Sequence, residues 1–303
     1  MNGSVIYIEL SSARSFSRYA KIAIPTKEHV YILRRKIASR RAAQIPLESQ
    51  EVAVRGARLD GRVALVTGGG QGVGRGIALA LAKEGASVLI AGRTLAKCRT
   101  VADEITAFGG AAAAIACDVT QRSDIEAAIT ATVAQFGGLD ALINNAQSAN
   151  QRLLLETTDS DIQLAYRSGP LATFYGMHAA YPHLVARGGG SIVNFGSSTA
   201  IEGNATFGSY AMAKEAIRGL SRVAAREWGR DGIRVNVVVP AALSPTAEAF
   251  RDARPETYQK QINRIPLRRM GDAEDDIGRA VVALVSDDLS YMTGETMMLT
   301  GGA

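Results

Sequence analysis

Residues 66–82 read VTGGGQGVGRGIALALA, where a short apolar run ends in a cluster of glycines and a segment with helical periodicity follows. Gly68, Gly72 and Gly74 let the backbone turn tightly and approach a phosphate closely. A helix that starts at such a turn supplies free N–H donors and a positive potential. The spacing differs from G-x-G-x-x-G, so the stretch predicts a variant nucleotide-binding turn between a strand and a helix.

Apolar runs of strand length alternate with segments of helical periodicity from residue 59 to residue 303. The predicted strands are Val63–Thr67, Ser87–Ala91, Ala113–Cys117, Ala141–Asn144, Ser191–Phe195, Arg234–Val239 and Thr296–Leu299. The predicted helices are Gly74–Glu84, Leu95–Phe108, Ser123–Phe136, Ser160–Arg187, Tyr210–Arg230 and Asp272–Val285. Such alternation is typical of βαβ units, and strands that are apolar throughout belong to a parallel sheet covered on both faces. The sequence therefore predicts one α/β domain over residues 59–303.

The basic charge of the chain is concentrated in an extension, residues 1–58. This extension carries eleven Lys/Arg and four Glu, whereas residues 59–303 carry 23 basic and 25 acidic residues. A nearly neutral body argues against nucleic-acid binding, and the extension lacks the long uncharged run of a membrane span. We expect the extension to be a disordered tail or an upstream stretch that the working protein lacks, with an organelle-targeting leader as the alternative.

Cysteine and histidine usage points to a reducing compartment and to no metal. Cys98 and Cys117 fall in separate segments without metal-ligand spacing, and the three histidines do not match a zinc-binding helix. We therefore predict a cytoplasmic protein with no metal site and no membrane partner.

The end of the second predicted strand bears on the choice of cofactor. In a dinucleotide site, an acidic residue at this point accepts a hydrogen bond from the ribose 2′-hydroxyl. The strand here ends Ile90-Ala91-Gly92-Arg93, with no carboxylate. The Arg93 guanidinium could pair with a 2′-phosphate, so NADP(H) is predicted in preference to NAD(H).

A tyrosine and a lysine stand four residues apart in SYAMAKEAIRGL, residues 209–220. On a helix, Tyr210 and Lys214 are neighbours. A nearby ammonium group and the helix N-terminus both favour a phenolate, which would lower the phenol pKa and make Tyr210 a general acid/base. The alternative is an exposed polar pair beside a buried face.

Residues 59–303 as a whole resemble the short-chain dehydrogenase/reductase family. The motifs are Thr67-Gly68-x-x-x-Gly72-x-Gly74, Cys117-Asp118-Val119, Asn144-Asn145-Ala146, Ser197 thirteen residues before Tyr210, Lys214, Arg234-Val235-Asn236, Thr293-Gly294 and Gly301-Gly302. The resemblance implies a doubly wound Rossmann fold with a seven-stranded parallel sheet, helices on both faces, and assembly as a homotetramer or homodimer.

The resemblance also implies roles for individual residues. Tyr210 would be the catalytic acid/base, Lys214 would lower its pKa and hydrogen-bond the nicotinamide ribose, and Ser197 would polarise the substrate carbonyl. The cofactor-binding residues would be Thr67, Gly68, Gly70, Gln71, Gly72, Val73, Gly74, Arg93, Asp118, Val119, Asn145, Ala146, Tyr210, Lys214, Pro240 and Leu243.

Four positions depart from the family pattern. N-N-A-G reads Asn144-Asn145-Ala146-Gln147, the catalytic asparagine of the family aligns with Gly169, P-G reads Pro240-Ala241, and a threonine aligns with Pro245 between Ser244 and Thr246. Gly169-Pro170 can interrupt a helix without any side chain. We hypothesise that Gln147 supplies an amide to the catalytic pocket; the alternative is a relay that uses backbone and water alone.

These features predict an oxidoreductase that interconverts a carbonyl and a secondary alcohol by hydride transfer. A cofactor-binding protein with little catalysis is the alternative. The predicted substrate lies over Thr246–Ile265, the expected lid, where Arg251 or Arg254 could meet an acyl-carrier thioester. A 3-oxoacyl reductase therefore stands beside enzymes of small secondary alcohols, sugars or steroids.

Overall fold

The computed structural model describes residues 5–10, 18–23, 57–243 and 245–303. The chain divides into two compact units, residues 1–55 and 56–303. In the first unit, strands β1 (Val5–Leu10) and β2 (Arg18–Ala23) pair antiparallel, with Val5 opposite Ala23. Most of the predicted extension, residues 1–58, lies outside the described residues, and so does the prediction that it is a tail or a leader.

The second unit is built on a seven-stranded sheet in which every pairing is parallel. Its strands are β3 (Val63–Thr67), β4 (Ser87–Gly92), β5 (Ala112–Ala116), β6 (Ala141–Asn144), β7 (Gly190–Phe195), β8 (Ile233–Pro240) and β9 (Thr296–Leu299). Their order is β5-β4-β3-β6-β7-β8-β9, so the winding reverses between β3 and β6. This confirms the predicted fold, and each predicted strand end agrees to within one residue.

Helices connect these strands and cover the sheet. They are α1 (Gly72–Lys83), α2 (Leu95–Ala107), α3 (Arg122–Phe136), α4 (Asp159–Tyr166), α5 (Ala172–Ala186), α6 (Ser198–Glu202), α7 (Gly208–Trp228), α8 (Pro245–Ala253), α9 (Pro255–Ile262) and α10 (Arg279–Val285). Two of them, α8 and α9, occupy the predicted lid. Among the helices of the described ranges, none has the length and apolar character that a bilayer crossing requires.

Two hydrophobic cores lie on opposite faces of the sheet. One core joins α1, α2 and α10 to strand residues such as Val66, Ile90 and Val193. The other joins α3, α5 and α7 to Leu65 and Leu142. Because successive strand residues point to opposite faces, Leu65 and Val66 enter different cores. This two-sided burial explains why the strands are apolar throughout.

The predicted helix Ser160–Arg187 is interrupted, which corrects that prediction. Between α4 and α5, residues Arg167–Leu171 form a π-helical turn that contains Gly169 and Pro170. Proline lacks an N–H and its ring clashes with the preceding turn, so the helix widens there. The segment packs against α7.

The last predicted helix, Asp272–Val285, also begins with a π-helical turn, Ala273–Gly278, and continues as α10. This turn lies very close to α1, because a β-carbon at Gly76 would come 2.3 Å from the backbone of Ala273. The carboxylate of Asp272 caps the turn by accepting from the N–H groups of Glu274 and Asp275, each at 2.8 Å.

Candidate active site

The glycine turn after β3 leaves no room for side chains. Gly68 and Gly72 have φ values of +67° and +55°, which L-residues with side chains rarely adopt. A β-carbon on Gly74 would lie 2.3 Å from the carbonyl oxygen of Gly68 and 2.6 Å from Nδ2 of Asn145. The turn therefore presents bare backbone at the N-terminus of α1, as a phosphate site requires.

A cavity of about 460 Å³ opens above this turn, at the carboxyl ends of β3, β4, β5 and β6. In doubly wound sheets, dinucleotides bind at this reversal of strand order. The cavity brings together twelve of the residues predicted for the site: Gly68, Gly70, Gln71, Gly72, Val73, Gly74, Arg93, Asp118, Val119, Asn145, Ala146 and Gln147. The bare glycine backbone and the position at the switch point fit an adenine dinucleotide.

Thr67 and Asn145 shape the floor of the cavity. The Thr67 hydroxyl is buried and accepts hydrogen bonds from the N–H groups of Asn145 at 3.1 Å and Ala146 at 3.2 Å. Nδ2 of Asn145 donates to the carbonyl oxygen of Thr67 at 3.0 Å. These bonds join the loops after β3 and β6 and fix the backbone that forms the floor of the cavity.

Two basic side chains lie at one end of the cavity. Arg93 donates to the hydroxyl of Ser148 at 3.4 Å, and Lys97 donates to Oε1 of Gln71 at 2.6 Å. Both residues are exposed. The sequence reasoning identified Arg93 but missed Lys97. Lys97 could have been identified from the sequence, because it is a second basic residue only four positions after Arg93, in the first turn of α2.

Asp118 and the two cysteines line the same cavity. The Asp118 carboxylate accepts from the N–H and hydroxyl of Thr120, at 3.0 and 2.9 Å. Burial raises the pKa of Cys98, and burial with nearby Asp124 raises the pKa of Cys117 to about 12. Both cysteines are therefore neutral thiols and poor nucleophiles.

Ser197, Tyr210 and Lys214 come together beside the carboxyl end of β7. Ser197 precedes α6, and its hydroxyl lies close to that of Tyr210 in the first turn of α7. Nζ of Lys214 lies 5.5 Å from the centre of the Tyr210 ring and donates to the carbonyl oxygen of Phe195 at 2.8 Å. The three side chains do not line the cavity. The π-helical turn connects the two regions, since it contributes Ser168 to the cavity and packs against α7.

Comparison with known proteins places this arrangement in a family. Residues 68–303 match the family described as enoyl-(acyl carrier protein) reductase. The chain belongs to the short-chain dehydrogenase/reductase family. A 12α-hydroxysteroid dehydrogenase of a Clostridium species is 44% identical over 251 residues, which are 80% of this chain and 96% of that enzyme.

Two further relatives differ in substrate. A 3-oxoacyl-[acyl-carrier-protein] reductase of Staphylococcus aureus is 35% identical over 79% of this chain and 96% of its own. The solved structure of a 7α-hydroxysteroid dehydrogenase with NADH and 7-oxo glycochenodeoxycholic acid has a TM-score of 0.76 and 31% identity, covering 82% of this chain and 96% of that one. This dehydrogenase/reductase is therefore an oxidoreductase of hydroxyl and carbonyl groups that uses NAD(H) or NADP(H). These relatives do not support the alternative prediction of a cofactor-binding protein with little catalysis.

The pKa values of Tyr210 and Lys214 are shifted in directions that the sequence did not predict. Partial burial raises the pKa of Tyr210, and the nearby hydroxyl of Ser197 only partly opposes this. Burial also lowers the pKa of Lys214 to about 7. The expected lowering of the phenol pKa by a lysine cation is therefore wrong. The lysine is buried against Phe195 and loses much of its own charge.

The remaining predicted residues, Pro240 and Leu243, lie at the carboxyl end of β8 and outside the cavity lining. Pro240 ends β8, and the N–H of Leu243 donates to the carbonyl oxygen of Gly271 at 3.0 Å. Ser244 and the side chains of Pro245 and Thr246 lie outside the described part of the structure.

Metal ligands were not expected, and the described ranges hold no cluster of three or more His, Cys, Asp or Glu side chains placed around a common point.

Proposed function

We propose that this enzyme oxidises a secondary alcohol, or reduces the matching ketone, on a bulky alicyclic substrate of the hydroxysteroid type, with NADP(H) as the preferred cofactor. One observation carries the chemistry: the hydroxyls of Ser197 and Tyr210 lie close together, with Lys214 buried one helical turn further on. Two hydroxyls placed side by side can both hydrogen-bond one substrate oxygen.

The chemistry divides between the cofactor and the side chains. When bound in the cavity, a nicotinamide cofactor would supply or accept the hydride. During reduction, Ser197 donates a hydrogen bond to the ketone oxygen and Tyr210 gives that oxygen its phenolic proton. A raised pKa keeps Tyr210 protonated at neutral pH, which suits proton donation to a ketone. Lys214 titrates near neutrality and restores the proton from solvent.

The substrate class is supported by relatedness and by the surface beside Tyr210. The 44% identical relative is named for a hydroxysteroid. Leu153, Leu154 and Leu155 are 55%, 75% and 101% exposed in the loop after β6. This loop contacts the start of α7. The backbones of Arg152 and Phe207 form an isolated β-bridge, and a β-carbon on Gly208 would touch Leu154. Apolar side chains at this place suit a hydrocarbon ring system.

The cofactor preference is supported by the basic end of the cavity. Arg93 and Lys97 both line the cavity, where a 2′-phosphate would carry two negative charges. The acidic residue that would accept from a free 2′-hydroxyl has no counterpart at the end of β4, which ends Ala91-Gly92 before Arg93.

Self-association of the enzyme is supported by its outer helices. On α5 and α7, Phe174, Met212 and Val223 are between 44% and 53% exposed. Large apolar side chains on the outer side of two helices that cover one face of the sheet are suited to burial against another copy. We propose that these helices form an interface of a homodimer or homotetramer.

The Tyr210→Phe variant tests the proposal. The variant should bind NADPH as the wild type does. Its rate of ketone reduction should fall by at least about a thousandfold, because the substitution removes the phenolic hydroxyl that donates the proton. Tyr291→Phe is the control, since Tyr291 is fully exposed. A panel of hydroxysteroids, small cyclic alcohols and 3-oxoacyl thioesters identifies the substrate. Retained activity in Tyr210→Phe would overturn the proposed role of Tyr210. A preference for the thioester would overturn the proposed substrate class.

A further inference from the structure

The side chain of Gln147 carries two polar atoms that have lost water without gaining a partner. Both Nε2 and Oε1 are buried and make no hydrogen bond, and they are the only side-chain atoms in the described ranges of which this is true. Buried amides are nearly always satisfied, because an unmade hydrogen bond is costly. Gln147 also lines the dinucleotide cavity, so a ligand or water bound there would lie beside this side chain.

Gly169 faces this amide from the π-helical turn. A β-carbon built on Gly169 would lie 2.8 Å from Nε2 of Gln147 and 3.1 Å from its Cδ. Gly169 does not have the left-handed backbone that would demand glycine. Glycine destabilises a helix relative to alanine, so space for the Gln147 amide is the physical reason for glycine here.

The neighbouring polar group does not serve the amide. The hydroxyl of Ser168 donates towards the carbonyl oxygens of Ser148 at 2.8 Å and Leu164 at 2.7 Å, and it accepts from the N–H of Ser148 at 3.0 Å. Its single donor is used, and its oxygen takes no hydrogen bond from the amide. Among the described residues, the Gln147 amide therefore has no hydrogen-bond partner.

The two positions also depart from the family pattern in opposite senses. The loop after β6 has gained an amide at Gln147 where the pattern has glycine, and the helix has lost one at Gly169 where the pattern has asparagine. Compared with the family pattern, this chain therefore carries an amide on the loop and none at position 169 of the helix.

We propose that Gln147 is a positioning residue whose carboxamide fills the space of the missing side chain at position 169 and hydrogen-bonds a hydroxyl-bearing partner in the cavity. A hydroxyl both donates and accepts, which matches an amide with a free NH₂ and a free carbonyl. The partner is a ribose hydroxyl of the cofactor or an ordered water. The hydrogen-bonding role rests on the proposed dehydrogenase function. The packing of Gln147 against Gly169 does not depend on that function.

A stability cycle tests the packing without any assay of turnover. Gly169→Ala should lower Tm in the wild-type background, because the new β-carbon meets the amide. In a Gln147→Gly background the same change should raise Tm, because alanine favours the helix. Gly219→Ala, on α7 with open space around it, is the control and should raise Tm in both backgrounds. Additive effects of Gly169→Ala and Gln147→Gly would overturn the proposal.

The hydrogen bond is tested with Gln147→Met, which keeps the length and removes the amide, beside Gln163→Met at an exposed position of α4. A ribose partner predicts an increase of about tenfold in the NADPH dissociation constant, whereas a water partner predicts an unchanged constant and slower turnover with an altered solvent isotope effect. Either result supports the proposal, and no change in both refutes it.

Restoring the amide from the other side gives the sharpest test. The double variant Gln147→Gly, Gly169→Asn should recover what Gln147→Gly loses, and Gly169→Asn alone should be impaired because two side chains then compete for one space. A double variant no better than Gln147→Gly would overturn the proposal. If the wild type converts no alcohol or ketone, the proposed function fails, while cofactor binding and Tm still report on the Gln147 amide.

Discussion

Nζ of Lys214 donates a 2.8 Å hydrogen bond to the carbonyl oxygen of Phe195, the last residue of β7. This contact places an amine inside the protein, with 4% of the residue exposed. Burial disfavours the charged form, which explains the lowering of the Lys214 pKa from 10.5 to about 7. The group is thus both a candidate proton carrier and a cost to stability.

We expect the stability of the cofactor-free enzyme to show this titration. Below about pH 7 the amine is charged in the folded and unfolded states, so the burial cost is fully present. Between about pH 7 and 10.5 only the unfolded state holds the proton, so the contribution to stability rises with pH. Urea unfolding of wild type and Lys214→Met across this range measures it.

Lys214→Met should be more stable than wild type at low pH by a few kcal/mol, at about 1.4 kcal/mol per pKa unit. The difference should shrink as pH rises and vanish near the ordinary lysine pKa. A difference that does not depend on pH would show that the amine keeps an ordinary pKa in the folded state.

Cofactor choice should respond to the basic end of the cavity. Arg93→Ala, and more strongly Arg93→Ala with Lys97→Ala, should raise KM for NADPH at least about tenfold and leave KM for NADH nearly unchanged, because the lost contacts are to the 2′-phosphate. Arg99→Ala is the control, since Arg99 is exposed on α2 and outside the cavity. Equal losses for both cofactors would show that Arg93 binds a group common to them.

The glycine turn should tolerate no side chain at Gly74. In Gly74→Ala the new methyl group would meet the Gly68 carbonyl oxygen at 2.3 Å, so the turn must shift. We expect a loss of about 1–3 kcal/mol in the free energy of unfolding and weak cofactor binding. Gly219→Ala should instead stabilise α7 by about 0.5–1 kcal/mol. Thermal unfolding and cofactor titration distinguish the two variants, and cofactor binding by Gly74→Ala at wild-type strength would contradict the proposed phosphate site.

Assembly should depend on the outer face of α7. Val223→Glu places a charge on a side chain that is 53% exposed here, and burial of that charge between two copies would be unfavourable. We expect a smaller species by light scattering, whereas Phe108→Glu, at the C-terminal end of α2, should leave the mass unchanged. An unchanged mass for Val223→Glu would remove α7 from the interface.

The sequence alone was sufficient to predict the strands and the glycine turn, and its resemblance to a known family added Ser197 to Tyr210 and Lys214 as candidate catalytic residues. Strand and helix periodicities and the conformational freedom of glycine are local properties, so they can be read over a few residues. The interruption at Gly169-Pro170 could be anticipated in the same way, although its π-helical form could not. The nature of residues 1–58 and the cytoplasmic location stay predictions.

Only the tertiary structure decided the environment of these residues. The burial of Tyr210 and of Lys214 depends on how α7 packs beside β7, and burial of Tyr210 raises its pKa where the sequence predicted a lowering. The meeting of Gln147 with Gly169 depends on a loop and a helix that are distant in the chain and close in space. Desolvation and steric fit arise from neighbours on several elements at once, and no local spacing encodes them.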